Sequence, residues 1–126
     1  MPVRVSAAQA AVCARFNAVP SGVGPRQKAG VARNVLGGLM PVNGVRYRPE
    51  GDASGWYIWA GEGLSDDPGF FVPLHARHLG QWCPAVIPYP ALPPGWRFLI
   101  APGWEDAWPD DSLLQPRNQD DGAPGQ

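Results

Sequence analysis

Apolar residues recur along this chain with two different periods, and the changes of period mark its elements. Ser6-Ala7-Ala8-Gln9 has the S-x-x-Q form of a capping box, and Ala8, Ala11, Val12 and Phe16 then return at helical spacing. The pattern predicts a helix over 7–16. Its face is mostly alanine, which suits docking at the edge of a domain. Pro20, Gly22, Gly24 and Pro25 break the pattern into a flexible connection. Val31, Val35 and Leu36 fit a helical stripe, but Gly30, Gly37-Gly38 and Pro41 interrupt it. A short strand over 29–32 followed by a turn of helix is expected there. Val45 and Tyr47 alternate with Arg46 and Arg48, the period of a strand with one wet face. The continuous run Trp56-Tyr57-Ile58-Trp59-Ala60 reads as a strand covered on both faces, at the middle of a sheet.

The second half is punctuated by proline. Residues 61–69 form a loop containing Asp66-Asp67-Pro68, and Pro73 suits the first turn of a helix running over 73–83 and stopped by Pro84. The proline-rich 88–94 segment must be extended or turned. Trp96 to Ala101 reads as a second buried strand. After the turn at Pro102-Gly103, an extended segment puts Trp104, Asp106 and Trp108 on one face and Glu105 and Ala107 on the other. Strands in runs, with separate helices, predict an α+β fold: a small, mainly antiparallel sheet with an N-terminal helix and one helix near 73–83. The expected organisation is a helix and linker over 1–25, packed as one unit with a domain over 26–115, and a disordered tail over 116–126.

Composition narrows the class. At 126 residues the chain can bury one core. Its 16 Gly and 16 Pro would suit disorder, but six Trp and a net charge of -1 do not. No apolar stretch reaches membrane-spanning length, and Arg4 and Arg15 interrupt the N-terminal region where a signal peptide needs an apolar core. A cytoplasmic protein with no membrane partner is expected. Cys13 and Cys83 follow no metal-binding spacing and read as reduced core residues.

The near-zero net charge hides an asymmetry. Residues 1–50 carry seven basic side chains and one acid, Glu50, whereas 51–126 carry ten acids and three arginines. Either the halves neutralise each other, or an acidic surface faces a basic partner. Nucleic-acid binding is disfavoured, because most of the basic residues and all of the Trp residues fall in different halves and the Trp lie among acids.

The candidate chemistry is sparse. His75 and His78 would share one face of the 73–83 helix and could bind a metal with Cys83 or Asp66-Asp67, but two imidazoles fall short of a ligand set and more commonly sit at the rim of a core. No nucleophile elbow, phosphate loop, dinucleotide fingerprint or zinc-protease motif occurs. The expectation is therefore a protein without catalytic residues, metal or cofactor. Trp56, Trp59 and Trp96 fit a core. Trp104 and Trp108 differ, because they alternate with Glu105 and Asp106 and precede Asp110 and Asp111. Aromatic anchors ringed by carboxylates suit contact with a basic protein. Together with Asp66 and Asp67, these residues form the candidate contact set. The competing reading is a solvated edge strand.

Several long strings carry a family resemblance: Asp52-Ala-Ser-Gly-Trp56, Gly61-Glu62, Asp66-Asp-Pro-Gly-Phe-Phe-Val-Pro-Leu-His75, Leu92-Pro-Pro-Gly-Trp-Arg-Phe-Leu-Ile100 and Trp104-Glu-Asp-Ala-Trp108. Over about residues 28–115 the chain resembles the bacterial immunity-protein family numbered thirty-three, leaving the first 25 residues outside. The resemblance implies a protein that neutralises a cognate polymorphic or type VI secreted toxin by binding and occluding it. The acidic half would suit a basic toxin such as a nuclease. One departure is that the family pattern continues a helix past the Cys83 position, where Pro88 and Pro90 forbid one here. The alternatives are a ligand- or carbohydrate-binding module that stacks its ligand on Trp104 and Trp108, and a small metal enzyme using His75 and His78.

Overall fold

The computed structural model describes residues 4–65 and 67–115. Helix α1 (Ala7–Arg15) begins at the expected capping box: Ser6 Oγ accepts from the Gln9 N–H at 3.1 Å, and Gln9 Oε1 accepts from the Ser6 N–H at 3.0 Å. This satisfies two donors that the first helical turn leaves without partners. Cys13 is its one buried residue, so the helix touches the core by a narrow stripe.

Strands β1 (Lys28–Ala32), β2 (Val42–Arg46), β3 (Ala53–Ala60), β4 (Phe71–His75), β5 (Trp96–Ala101) and β6 (Trp104–Pro109) form one sheet in the order β4-β1-β3-β2-β5-β6. Only β1 and β3 pair in parallel; the other neighbours are antiparallel. The fold is α+β, as the sequence pattern predicts. β3 is interior and buried at every position from Ser54 to Ala60 except the half-buried Tyr57. A short 3-10 helix, Arg33–Gly37, follows β1 where a helical turn is expected.

Two connections leave the same end of the sheet and cross in projection, since β1 joins β2 past β3 while β3 joins β4 past β1. Crossed connections are uncommon. This one is tied by two asparagines. Asn34 Nδ2 donates to the Ala60 carbonyl at 2.8 Å while Asn34 Oδ1 accepts from the Ala60 N–H at 2.9 Å. Asn43 Nδ2 donates to the Gly61 carbonyl at 2.7 Å.

The inner face of the sheet carries the main core. Trp56, Ile58, Phe98, Ile100 and Ala107 pack there against Cys13, Leu79, Cys83, Val86, Tyr89 and Leu92. The cover is α1, the short helix α2 (Leu79–Trp82) and the turns of 84–95. Both cysteines are free and buried, and burial raises both thiols. On the outer face a smaller cluster of Ala32, Val45, Trp59 and Leu113 is flanked by Tyr47, Tyr57, Phe70 and Phe71.

Three local expectations need correction. The helix predicted over 73–83 is confined to Leu79–Trp82 behind a 3-10 turn, Ala76–His78, because Phe71–His75 pairs with β1 as the edge strand β4. Pro73 is tolerated there because an edge strand does not need every N–H. His75 therefore ends a strand and His78 ends the 3-10 turn, so the two do not share a helix face. The third correction concerns Arg46, expected on a wet face but only 1% exposed. Its Nε donates to the Ser54 carbonyl at 3.0 Å, and its Nη1 reaches the carbonyls of Ser21 at 2.7 Å, Pro90 at 3.2 Å and Leu92 at 2.8 Å. The predicted tail, 116–126, lies outside the described residues.

Candidate functional site

β6 is an edge strand, and its alternation divides the candidate residues between the two faces. Ala107 lies opposite Phe98 and is buried with it, which puts Glu105 and Ala107 on the inner face. Trp104, Asp106 and Trp108 therefore project from the outer face, beside Arg97 and Leu99 of β5. Trp104 is 52% exposed and Trp108 36%, in contrast to Trp56 and Trp59 in the core. The two exposed Trp stand about 13 Å apart along the strand, from the rise of an extended chain.

The carboxylates have different employments. Asp106 accepts from the Ala107 N–H at 2.8 Å and makes no ion pair among the described residues. Asp110 caps the 3-10 turn Asp111–Leu114, accepting from the Ser112 N–H at 3.1 Å and from Ser112 Oγ at 2.6 Å. It also pairs with Arg97 at 3.2 Å. The Ser112 hydroxyl foremost, then Arg97, holds its carboxyl below the usual range. Arg97 in turn lies over the Trp108 ring, 5.8 Å from its centroid. Asp111 is exposed in the first turn after this cap.

Glu105 is turned the other way. It accepts from the Tyr89 hydroxyl and lies 3.7 Å from Arg15, so it joins β6 to the 84–95 segment and to α1. Asp67 precedes β4, at the opposite edge of the sheet, where it caps a turn by accepting from the Gly69 N–H at 2.9 Å. Asp66 lies outside the described residues. Hence Trp104, Asp106 and Trp108 share the outer face of β6, and Asp110 joins the Trp108 end through Arg97; Asp111 follows exposed in the next turn, and Glu105 and Asp67 do not join them.

Sequence reasoning missed the hollow beside this group. A cavity of about 390 Å³ lies on the outer face, lined by Tyr57, Trp59, Leu64, Arg97, Asp110 and Leu113 among others. The signal was present in the run Trp56–Ala60, whose alternation sends Trp56 and Ile58 to the inner face and Tyr57 and Trp59 to the outer one. Arg97 was also missed as the residue linking Trp108 to Asp110. Among the described residues, no group of three or more His, Cys, Asp or Glu side chains is placed to hold a metal ion. No helix among them is long and apolar enough to cross a membrane.

The fold and this surface define a small α+β protein with one face of its sheet closed by helices and turns, and the other hollowed and lined with aromatic side chains. The chain belongs to the Imm33-like domain family, whose model matches residues 8–110. The match takes in α1, which the resemblance read from the sequence left outside. No curated protein matches the chain, and no solved structure does.

Proposed function

We propose that this chain is an immunity protein that neutralises a cognate bacterial toxin in the cytoplasm by direct binding and occlusion, without chemistry of its own. One observation carries the reading: Trp104 and Trp108 stand exposed on the outer face of an edge strand with Asp106 between them. An edge strand invites pairing, and large exposed apolar side chains on it favour association unless a partner covers them. Tryptophan is also the residue type most enriched among the anchors of protein interfaces. Membership in an immunity-named family supports a toxin as that partner.

The proposed contact set is Trp104, Asp106, Trp108, Asp110 and Asp111. Its acids suit a basic toxin, such as a nuclease delivered by a polymorphic or type VI system, because complementary charge speeds encounter. An interface of roughly 1,600 Å² total buried area would cover such a toxin's active site. The test is co-expression with the product of the neighbouring gene. Cells should survive with the wild-type chain and die without it, and the purified pair should associate more slowly as salt rises. Cells that die in both cases overturn the reading.

A further inference from the structure

We infer that the contact surface extends beyond β6 across the outer face of the sheet, and that the cavity over Trp59 receives one apolar or aromatic side chain from a loop of a basic toxin. This inference rests on the immunity reading above.

Four observations lead to it. First, the inner face is closed by α1, α2 and the 84–95 segment, whereas the outer face holds the 390 Å³ cavity. That size lies within the range of built binding sites and exceeds what one side chain needs. Second, a further cavity of about 330 Å³ adjoins it, shares the wall residues Tyr47, Tyr57 and Phe71, and reaches β4. Third, Trp59 is 6% exposed, and its indole N–H is the one buried side-chain polar atom among the described residues without a hydrogen-bond partner. Folded chains rarely leave such a donor unpaired. Trp59 is also part of the cavity wall, so a segment seated there packs against its ring and can reorganise the surroundings of this donor.

The fourth observation is charge. Around this face Lys28 is held by Asp52 at 3.1 Å and Arg97 by Asp110 at 3.2 Å. Glu50 and Asp106 make no ion pair among the described residues, and Arg48 is the one cation of this rim left without a carboxylate. The surplus is negative, which complements Lys and Arg on the toxin loop. An apolar centre with a charged rim is the ordinary anatomy of a specific interface.

The experiment uses the full chain and the purified product of the neighbouring gene. Leu64, 62% exposed at the cavity, is changed to Asp, and Asp106 to Lys. Ile87→Asp, at a half-exposed position on the helix-covered side, is the control. Each variant is first shown to melt like the wild type. Both outer-face variants should weaken binding at least about 30-fold, the scale of an interface hot spot, while Ile87→Asp stays within about threefold. In the wild-type chain the Trp59 indole N–H resonance should shift on saturation with toxin. Wild-type binding with unaffected outer-face variants, or with an unmoved Trp59 resonance, overturns this placement and leaves the immunity reading intact. A wild-type chain that binds nothing overturns both.

Discussion

The hydroxyl of Tyr89 donates to the carboxylate of Glu105, and this contact fastens the 84–95 segment to the inner face of β6. Tyr89 is buried to 1% exposure and stacks on Phe98 with centroids 4.8 Å apart, so its phenol has no alternative partner in water. Burial first, and then Glu105, push the phenol well above its ordinary value. A raised pKa contributes stability that is complete below the unfolded value and lost as pH rises above it. Tyr89→Phe should cost about 1 kcal/mol at pH 7, the worth of a typical net hydrogen bond. The wild-type advantage should shrink above about pH 10, by about 1.4 kcal/mol per pH unit. Urea denaturation of both proteins between pH 7 and 11 measures it; an advantage that holds constant above pH 10 contradicts it.

Arg46 is a buried cation satisfied by four main-chain carbonyls, and burial lowers its guanidinium to about 10, still charged at neutral pH. Its ring neighbour is Trp56, 5.8 Å away. Arg46→Met removes the side-chain donor from the carbonyls of Ser21, Ser54 and Leu92, whereas Pro90 keeps Trp56 Nε1. A loss of about 3 kcal/mol or more is expected. Arg46→Lys should rescue only part of it, because an ammonium cannot reproduce the planar fork. Midpoints of urea unfolding decide the order; a lysine variant as stable as the wild type would remove the geometric argument.

Gly44 has no room for a side chain. A Cβ there would lie 2.1 Å from the Phe98 ring, which is confined between Trp56 and Tyr89. Gly44→Ala should destabilise by about 1–3 kcal/mol through overpacking. Combining it with Phe98→Leu should cost less than the sum of the two single changes, since the second relieves the clash made by the first. Simple additivity in thermal melts would show that the strand backbone, not Phe98, absorbs the strain.

Asp106 and Asp110 should separate encounter from folding. Asp106→Lys removes no ion pair or tertiary hydrogen bond among the described residues, so stability should stay within about 0.5 kcal/mol while toxin association slows. Stopped-flow mixing at two salt concentrations checks the rate. Asp110 instead holds the 3-10 turn and Arg97, with a lowered carboxyl pKa. Its contribution is present above the unfolded value of about 4 and lost on acidification. Wild type and Asp110→Asn should therefore converge in stability as pH falls from 5 to 2. Parallel curves would show that Asp110 contributes nothing through its charge.

What the sequence by itself determined was local. The Ser6–Gln9 capping box starts α1, the aromatic run at 56–60 builds an interior strand, and the alternation at 104–108 separates Trp104, Asp106 and Trp108 from Glu105. Each depends on a few consecutive residues and a fixed period, so each is legible without a fold. Tertiary structure decided what depends on partners far away in the chain. Pro73 lies in a strand because Gly30 pairs with it, and Arg46 is buried because carbonyls as distant as Leu92, 46 positions on, converge on it. The hollow over Trp59 exists because Leu64, Arg97 and Leu113 arrive from three separate segments. Periodicity tells which side of a strand a residue takes; only packing determines whether that side is covered, and by what.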